Sequence, residues 1–109
     1  MEMVTYADFA KLDLRTATVL SCEKIDGTDK LLKLLVKTGI EERTIVAGIG
    51  KSYSAEELVG KTIIVIVNLE PRKLKGVESQ GMLLAAGEDV TALNLVTTDK
   101  GAVDGVKIG

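Results

Sequence analysis

The chain has no histidine and no tryptophan, one cysteine (Cys22) and one proline (Pro71). Without histidine there is no imidazole proton shuttle, no histidine-based triad and no zinc site of the Cys/His kind, and one cysteine closes no disulfide. Catalysis is left without its commonest groups, so a non-catalytic role with no cofactor is the economical reading. Aromatic residues are nearly missing too: Tyr6, Phe9 and Tyr53 are all there are. Any core is therefore aliphatic, and a ligand that needs a row of stacking platforms finds few. No apolar run approaches the roughly 20 residues of a membrane span. The opening Met-Glu-Met-Val-Thr-Tyr-Ala-Asp lacks the basic and apolar regions of a secretory signal. A reducing cytoplasm is the expected setting, with Cys22 a half-buried strand residue rather than a reactive thiol.

What is present is 109 residues, 46% of them hydrophobic, enough for a single domain spanning residues 1–109 that needs no staples. The formal net charge of −2 argues at first against a phosphate-bearing partner. The charges are segregated, however. Residues 29–51 and 68–76 are each net positive, and the rest of the chain is net negative. Two such stretches brought together make a cationic patch that the total conceals.

Tyr6 to Lys11 reads as a turn of helix whose apolar side covers one end of the domain. Leu14 to Lys24 is a strand, closed by the Asp26-Gly27-Thr28-Asp29 turn. Leu31 to Thr38 and Arg43 to Ala47 form a hairpin around Gly39. Ser54 and Glu57 make a capping box that opens a short helix ending before Gly60. Thr62 to Val67 is a β-branched run buried on both faces. Met82 to Ala86 and Thr91 to Val96 are further strands, and Val103 to Ile108 is a terminal extended segment. This order, mainly β with a helix between the third and fourth strands, fits a five-stranded OB-fold barrel with short helices and a C-terminal extended segment.

The most informative stretch is Asn68 to Ala86, where Pro71 keeps Glu70 out of helix and Arg72, Lys73 and Lys75 crowd a loop between it and Gly76. The gap from Gly76 to Gly81 is not a phosphate-binding loop, because no Lys-Ser/Thr follows it. Glu41-Glu42 and Glu56-Glu57 read as a hairpin tip and a helix start rather than as paired acid and base.

This run resembles the signature of the tRNA-binding domain shared by free-standing tRNA-binding proteins and the C-terminal part, or beta subunit, of methionyl-tRNA synthetases. Asp8 to Arg15, Thr28 to Leu32 and Arg43 to Ile49 resemble the family in order and spacing, so the likeness spans nearly the whole chain. It implies an OB-fold that recognises the outer corner of folded tRNA without reading an anticodon, and that forms a homodimer through C-terminal structure. It implies tRNA as partner, with a methionyl-tRNA synthetase catalytic chain beside it. The site residues it implies are Lys30, Lys33, Asn68, Arg72, Lys73, Lys75, Ser79, Gln80 and Met82. Two departures stand out: Gly27-Thr28 where the family often has Asn-Ala, which alters the loop before Lys30, and Thr16-Ala17 where it often has Val-Gly, which reads as a packing variation.

In this reading Arg72, Lys73 and Lys75 neutralise phosphates, while Ser79 and Gln80 suit sugar hydroxyls or base edges. Met82 either touches an unstacked base or fills the core. The scarcity of aromatics favours a folded RNA over a threaded single strand. The alternative within the same fold family is a peptide-binding export chaperone. Gly81 to Ala86 resembles the synthetase-associated branch, and no apolar groove is legible in the sequence.

Overall fold

In the computed structural model, which describes residues 1–109, the chain is organised around one long strand, β1 (Leu14–Lys24). Its second half pairs antiparallel with β2 (Leu32–Thr38), with a bulge between Val19 and Ser21. Its first half pairs with β4 (Thr62–Ile66). β2 returns through Gly39 and Ile40 to β3 (Glu41–Ala47). On the far side β4 pairs with β7 (Met82–Leu83), giving the order β3-β2-β1-β4-β7. The two ends of this sheet meet. Gln80 N–H donates to the Thr44 carbonyl at 2.8 Å, and the Ser79 hydroxyl accepts from Val46 N–H at 2.9 Å. The OB-type barrel expected from the sequence is thus closed by residues 79–81 against the free edge of β3.

Alternation explains the core. Ala17, Val19, Leu32, Leu34, Val36, Ile45, Ile63 and Val65 point into the barrel, joined by Leu58 from the short helix described below. The opposite faces of β1 and β4 bury Leu14, Ile64 and Ile66 in a second, smaller cluster against Leu84 and Ile108. That is why Thr62 to Val67 has no polar face: β4 is covered by the barrel on one side and by the C-terminal tail on the other. Burying each such Leu or Ile contributes about 1.5–3 kcal/mol.

The tail is held by Thr16. This fully buried residue donates its hydroxyl to the Val103 carbonyl at 2.7 Å and accepts from Val106 N–H at 2.9 Å. Beyond it β10 (Lys107–Ile108) pairs with Leu14 and Arg15. The Thr16 departure is therefore more than a packing variation, because the hydroxyl satisfies two backbone groups that Val could not. Within the tail, a Cβ on Gly105 would lie 2.7 Å from the backbone of Gly39, so the tail also presses on the β2–β3 turn.

The remaining elements are short. Helix α2 (Ala55–Leu58) has both bonds of its capping box, Ser54 N–H to Glu57 at 2.8 Å and Glu57 N–H to Ser54 at 3.2 Å. The Ser54 N–H bond to its carboxylate, aided by the Ser54 side chain, holds the Glu57 carboxyl below its usual range. Helix α1 (Tyr6–Ala10), capped by Thr5, buries none of its residues, so it does not cover the barrel end as the sequence suggests. The expected strand Met82 to Ala86 is broken at Leu84 into β7 and β8 (Ala85–Ala86). Of Thr91 to Val96 only β9 (Asn94–Leu95) pairs, with β8.

Candidate nucleic-acid interface

The largest difference from the sequence reading lies in the signature itself. The cationic loop is a β-hairpin, β5 (Arg72–Leu74) and β6 (Val77–Ser79), with Arg72 opposite Ser79, Lys73 opposite Glu78 and Leu74 opposite Val77. Its two-residue turn is Lys75-Gly76, with φ of 51° and 79°. Positive φ at both central positions suits a type I′ turn, which matches the twist of the flanking strands. Gly supplies this at no cost, whereas Lys75 is the chain's one non-glycine residue with positive φ. The placement projects an ammonium group from the hairpin tip. Replacing Lys75 by Gly is expected to leave the melting temperature unchanged or raised while weakening RNA binding. Thermal unfolding and a binding titration on the same variant separate the two effects.

The hairpin lies along the outer side of β3. Val46, which faces outward from β3, is covered by Arg72, Leu74 and Met82, and is only 6% exposed. Across the β2–β3 ladder Val46 pairs with Lys33, so Lys33 and Arg72 flank the same position from opposite sides. The structure thereby joins the two cationic stretches of the sequence. Lys33 is partly neutralised by Glu23 at 3.7 Å. Lys30 precedes β2 rather than lying in it. Its loop is ordered by the Thr28 hydroxyl, which accepts from Lys30 and Leu31 N–H, and its carbonyl accepts from Gly50 N–H at 2.7 Å.

The cations divide into two kinds. Arg15 bonds Asp13 and the Gly105 carbonyl. The guanidinium of Arg43, absent from the sequence-derived site, ties Glu41 to the carbonyls of Val67 and Gln80. Both are structural. Arg72, Lys73, Lys75 and Lys30 are exposed and form no ion pair within the chain. A cation with no internal partner has its whole charge available to a phosphate.

Three of the expected polar contacts have intramolecular work. Ser79 is 5% exposed, and besides accepting from Val46 it donates to the Gly81 carbonyl at 2.9 Å. The Gln80 side-chain oxygen accepts from Thr44 N–H at 3.0 Å, so it replaces a ladder bond at the barrel seam. Its NH2 group has no partner in the chain. Asn68 accepts from Asp13 N–H at 2.8 Å and donates to the Lys11 carbonyl at 2.6 Å, fastening the end of α1 to the end of β4. These residues shape the platform that carries the cations.

Met82 is 42% exposed and lies on the surface rather than in the core. Beside it runs an open groove of about 360 Å³, walled by Leu74 and Arg72 of the hairpin, Ile49 after β3, and Leu93. This groove is not legible in the sequence because its lining comes from four separated segments. Farther along the same outward face of β2 and β3, Cys22 borders a shallow cleft with Ser21, Lys33 and Thr44. Burial, with Glu56 and Glu23 nearby, pushes its thiol up to about 11, so it is protonated and unreactive at neutral pH.

Comparison with known proteins places this geometry. The family model "Putative tRNA binding domain" matches residues 14–107. The chain is 53% identical over 108 residues to the methionine–tRNA ligase of Caldanaerobacter subterraneus subsp. tengcongensis, covering 99% of this chain and 17% of that protein. It is 52% identical over 105 residues to the methionine–tRNA ligase of Thermotoga maritima, covering 96% of this chain and 16% of that one. The chain thus spans about a sixth of the length of these ligases. Among solved structures, a MetRS related protein from Pyrococcus horikoshii superposes with a TM-score of 0.92 at 41% identity, each chain fully covered. The chaperone CsaA from Bacillus anthracis gives 0.90 at 28% identity, covering 99% of this chain and all of that one. With a family model matched over residues 14–107 and relatives more than 50% identical over nearly the whole chain, the chain belongs to the tRNA-binding domain family.

Proposed function

We propose that this domain binds folded tRNA without catalysis and assists aminoacylation by methionine–tRNA ligase, either as a part of that enzyme or as a separate chain beside it in the cytoplasm. The observation that carries this reading is the set of exposed, unpaired cations Lys30, Arg72, Lys73 and Lys75 around a rigid hairpin in an otherwise acidic chain. Lys33 extends the set across β2. Asn68, Ser79 and Gln80 hold the surface in shape, with the free amide NH2 of Gln80 available to a sugar or base edge. No helix is long and apolar enough to cross a membrane.

Adding the chain to a methionine–tRNA ligase catalytic core that lacks this domain is expected to lower KM for tRNA several-fold, with kcat little changed. That pattern marks added uniform binding. An unchanged KM at saturating domain rejects the assisting role.

Dimerisation belongs to the same reading. One end of the barrel leaves Ile40 102%, Val103 77% and Val106 42% exposed beside the Gly39–Gly105 contact. Helix α1 adds Phe9, 40% exposed, although a five-residue helix is not stable without tertiary packing. A second copy covering this end would bury these groups and double the cationic surface offered to one tRNA. Light scattering at micromolar concentration should give twice the chain mass, falling to one chain after Ile40→Asp with Val103→Asp. A monomeric wild type contradicts the two-site arrangement.

A further inference from the structure

The groove beside Met82 is the largest apolar feature near the free cations, and its composition restricts what it can hold. Val46, Ile49, Leu74, Met82 and Leu93 supply aliphatic and thioether surface, and Arg72 is the only charged residue among its lining. At about 360 Å³ it stands at the small end of ligand pockets, enough for one compact group rather than a run of them. Arg72 has no ion-pair partner here. Lys75 carries positive charge on to the hairpin tip, while Lys73 alternates to the other face of the hairpin opposite Glu78, and Glu70 borders only the smaller adjoining cleft.

The occupant must therefore present a flat or compact apolar face while carrying negative charge on either side. An apolar peptide accounts for the floor but leaves Arg72 and Lys75 without counterparts. A nucleic-acid strand provides both, because each unstacked base has an apolar face and is flanked by phosphates. The aromatic residues lie elsewhere: Tyr6 and Phe9 on α1, and Tyr53 with its hydroxyl accepting from Leu95 N–H at 3.0 Å. A base held here would be gripped by dispersion, by the thioether sulfur and by the guanidinium plane, without aromatic stacking.

Building on the tRNA-binding reading above, we propose that this groove is a single-base slot. One nucleotide splayed out of folded tRNA inserts its base against Met82, Leu74 and Ile49, Arg72 lies along the base, and Lys75 at the hairpin tip takes a neighbouring phosphate. Apolar walls around one guanidinium select for an unstacked base more than for its identity. The slot thus distinguishes tRNA, which has unpaired bases, from a uniform duplex that offers phosphates alone.

Met82 gives a direct probe, because the other two methionines, Met1 and Met3, stand at the N-terminus. With methyl-13C methionine in the intact chain, unfractionated tRNA is expected to move the Met82 methyl signal upfield through the ring current of the base, leaving Met1 and Met3 in place. A fully paired RNA duplex of equal length should leave all three unmoved. Met82→Ala should weaken tRNA binding about tenfold, the lower range for losing one base-stacking side chain, with the salt dependence retained. If tRNA binds with its salt dependence but the Met82 signal stays put, or moves equally with duplex, the slot is overturned and the tRNA-binding reading stands. If tRNA does not bind at all, both fall. If unfolded, carboxymethylated α-lactalbumin shifts Met82 and tRNA does not displace it, the groove is a peptide site and the proposal is wrong.

Discussion

Replacing Arg72, Lys73 and Lys75 together by Ala is expected to remove most of the affinity for tRNA. Each exposed cation that meets a phosphate releases counterions, so three contacts give log K against log salt a slope of roughly −2 to −3. Extrapolated from molar salt, where this contribution vanishes, to about 0.1 M, that slope is worth roughly 100- to 1000-fold in affinity. The variant should lose about that factor at low salt and converge with wild type near molar salt. The fold should survive, because none of the three side chains makes a hydrogen bond or ion pair within the chain and all are exposed. A salt series by filter binding, with a melting curve as control, reads both. A triple variant that retains the wild-type slope places the phosphate contacts elsewhere.

The largest stability effect is expected at Gly81. Its φ is +138°, and a Cβ there would stand 2.6 Å from the Ile66 carbonyl oxygen, 3.1 Å from Val65 and 3.2 Å from Ile45. A backbone oxygen and two core side chains cannot all give way. The position also carries the barrel seam, since the Gly81 carbonyl accepts the Ser79 hydroxyl that holds Val46. Gly81→Ala should cost about 3 kcal/mol or more and lower the melting temperature by more than about 10 °C. Gly60, at φ +88° with open space around it, is the control. Its replacement by Ala pays only the left-handed backbone cost of about 1–2 kcal/mol. Equal losses at the two sites would show that close approach at the seam does not matter.

The strands β1 to β4, the capping box at Ser54 and the burial of β4 on both faces were legible because alternation and turn residues are local signals. The hairpin was legible in principle as well. Leu74 and Val77 flank Lys75-Gly76 as a two-residue turn requires, but Lys at the first turn position hides a pattern usually written with Asn or Asp. The roles of Ser79, Gln80 and Asn68 were not legible. Their partners lie 33, 36 and 55 residues away, and nothing local says that Gln80 replaces a ladder bond. The groove beside Met82 was hidden for the same reason, as was the grip of Thr16 on a tail almost 90 residues on. The cations needed only their charge to be noticed, but their separation into free and bound sets needed the fold.

The central claim is that this surface recognises folded tRNA rather than RNA in general. Its most direct test is a competition titration at about 0.1 M salt, in which whole tRNA and an unstructured single-stranded RNA of the same length displace labelled tRNA from the chain. Phosphate number is the same in both, so counterion release alone predicts similar binding, apart from the lower per-phosphate coefficient of single strands. The account predicts that tRNA competes at least about tenfold more strongly, because its folded backbone holds phosphates at a fixed spacing that an unstructured strand must be ordered to match, while the slot beside Met82 accepts an unstacked base from either RNA. Equal competition by the two RNAs would contradict it.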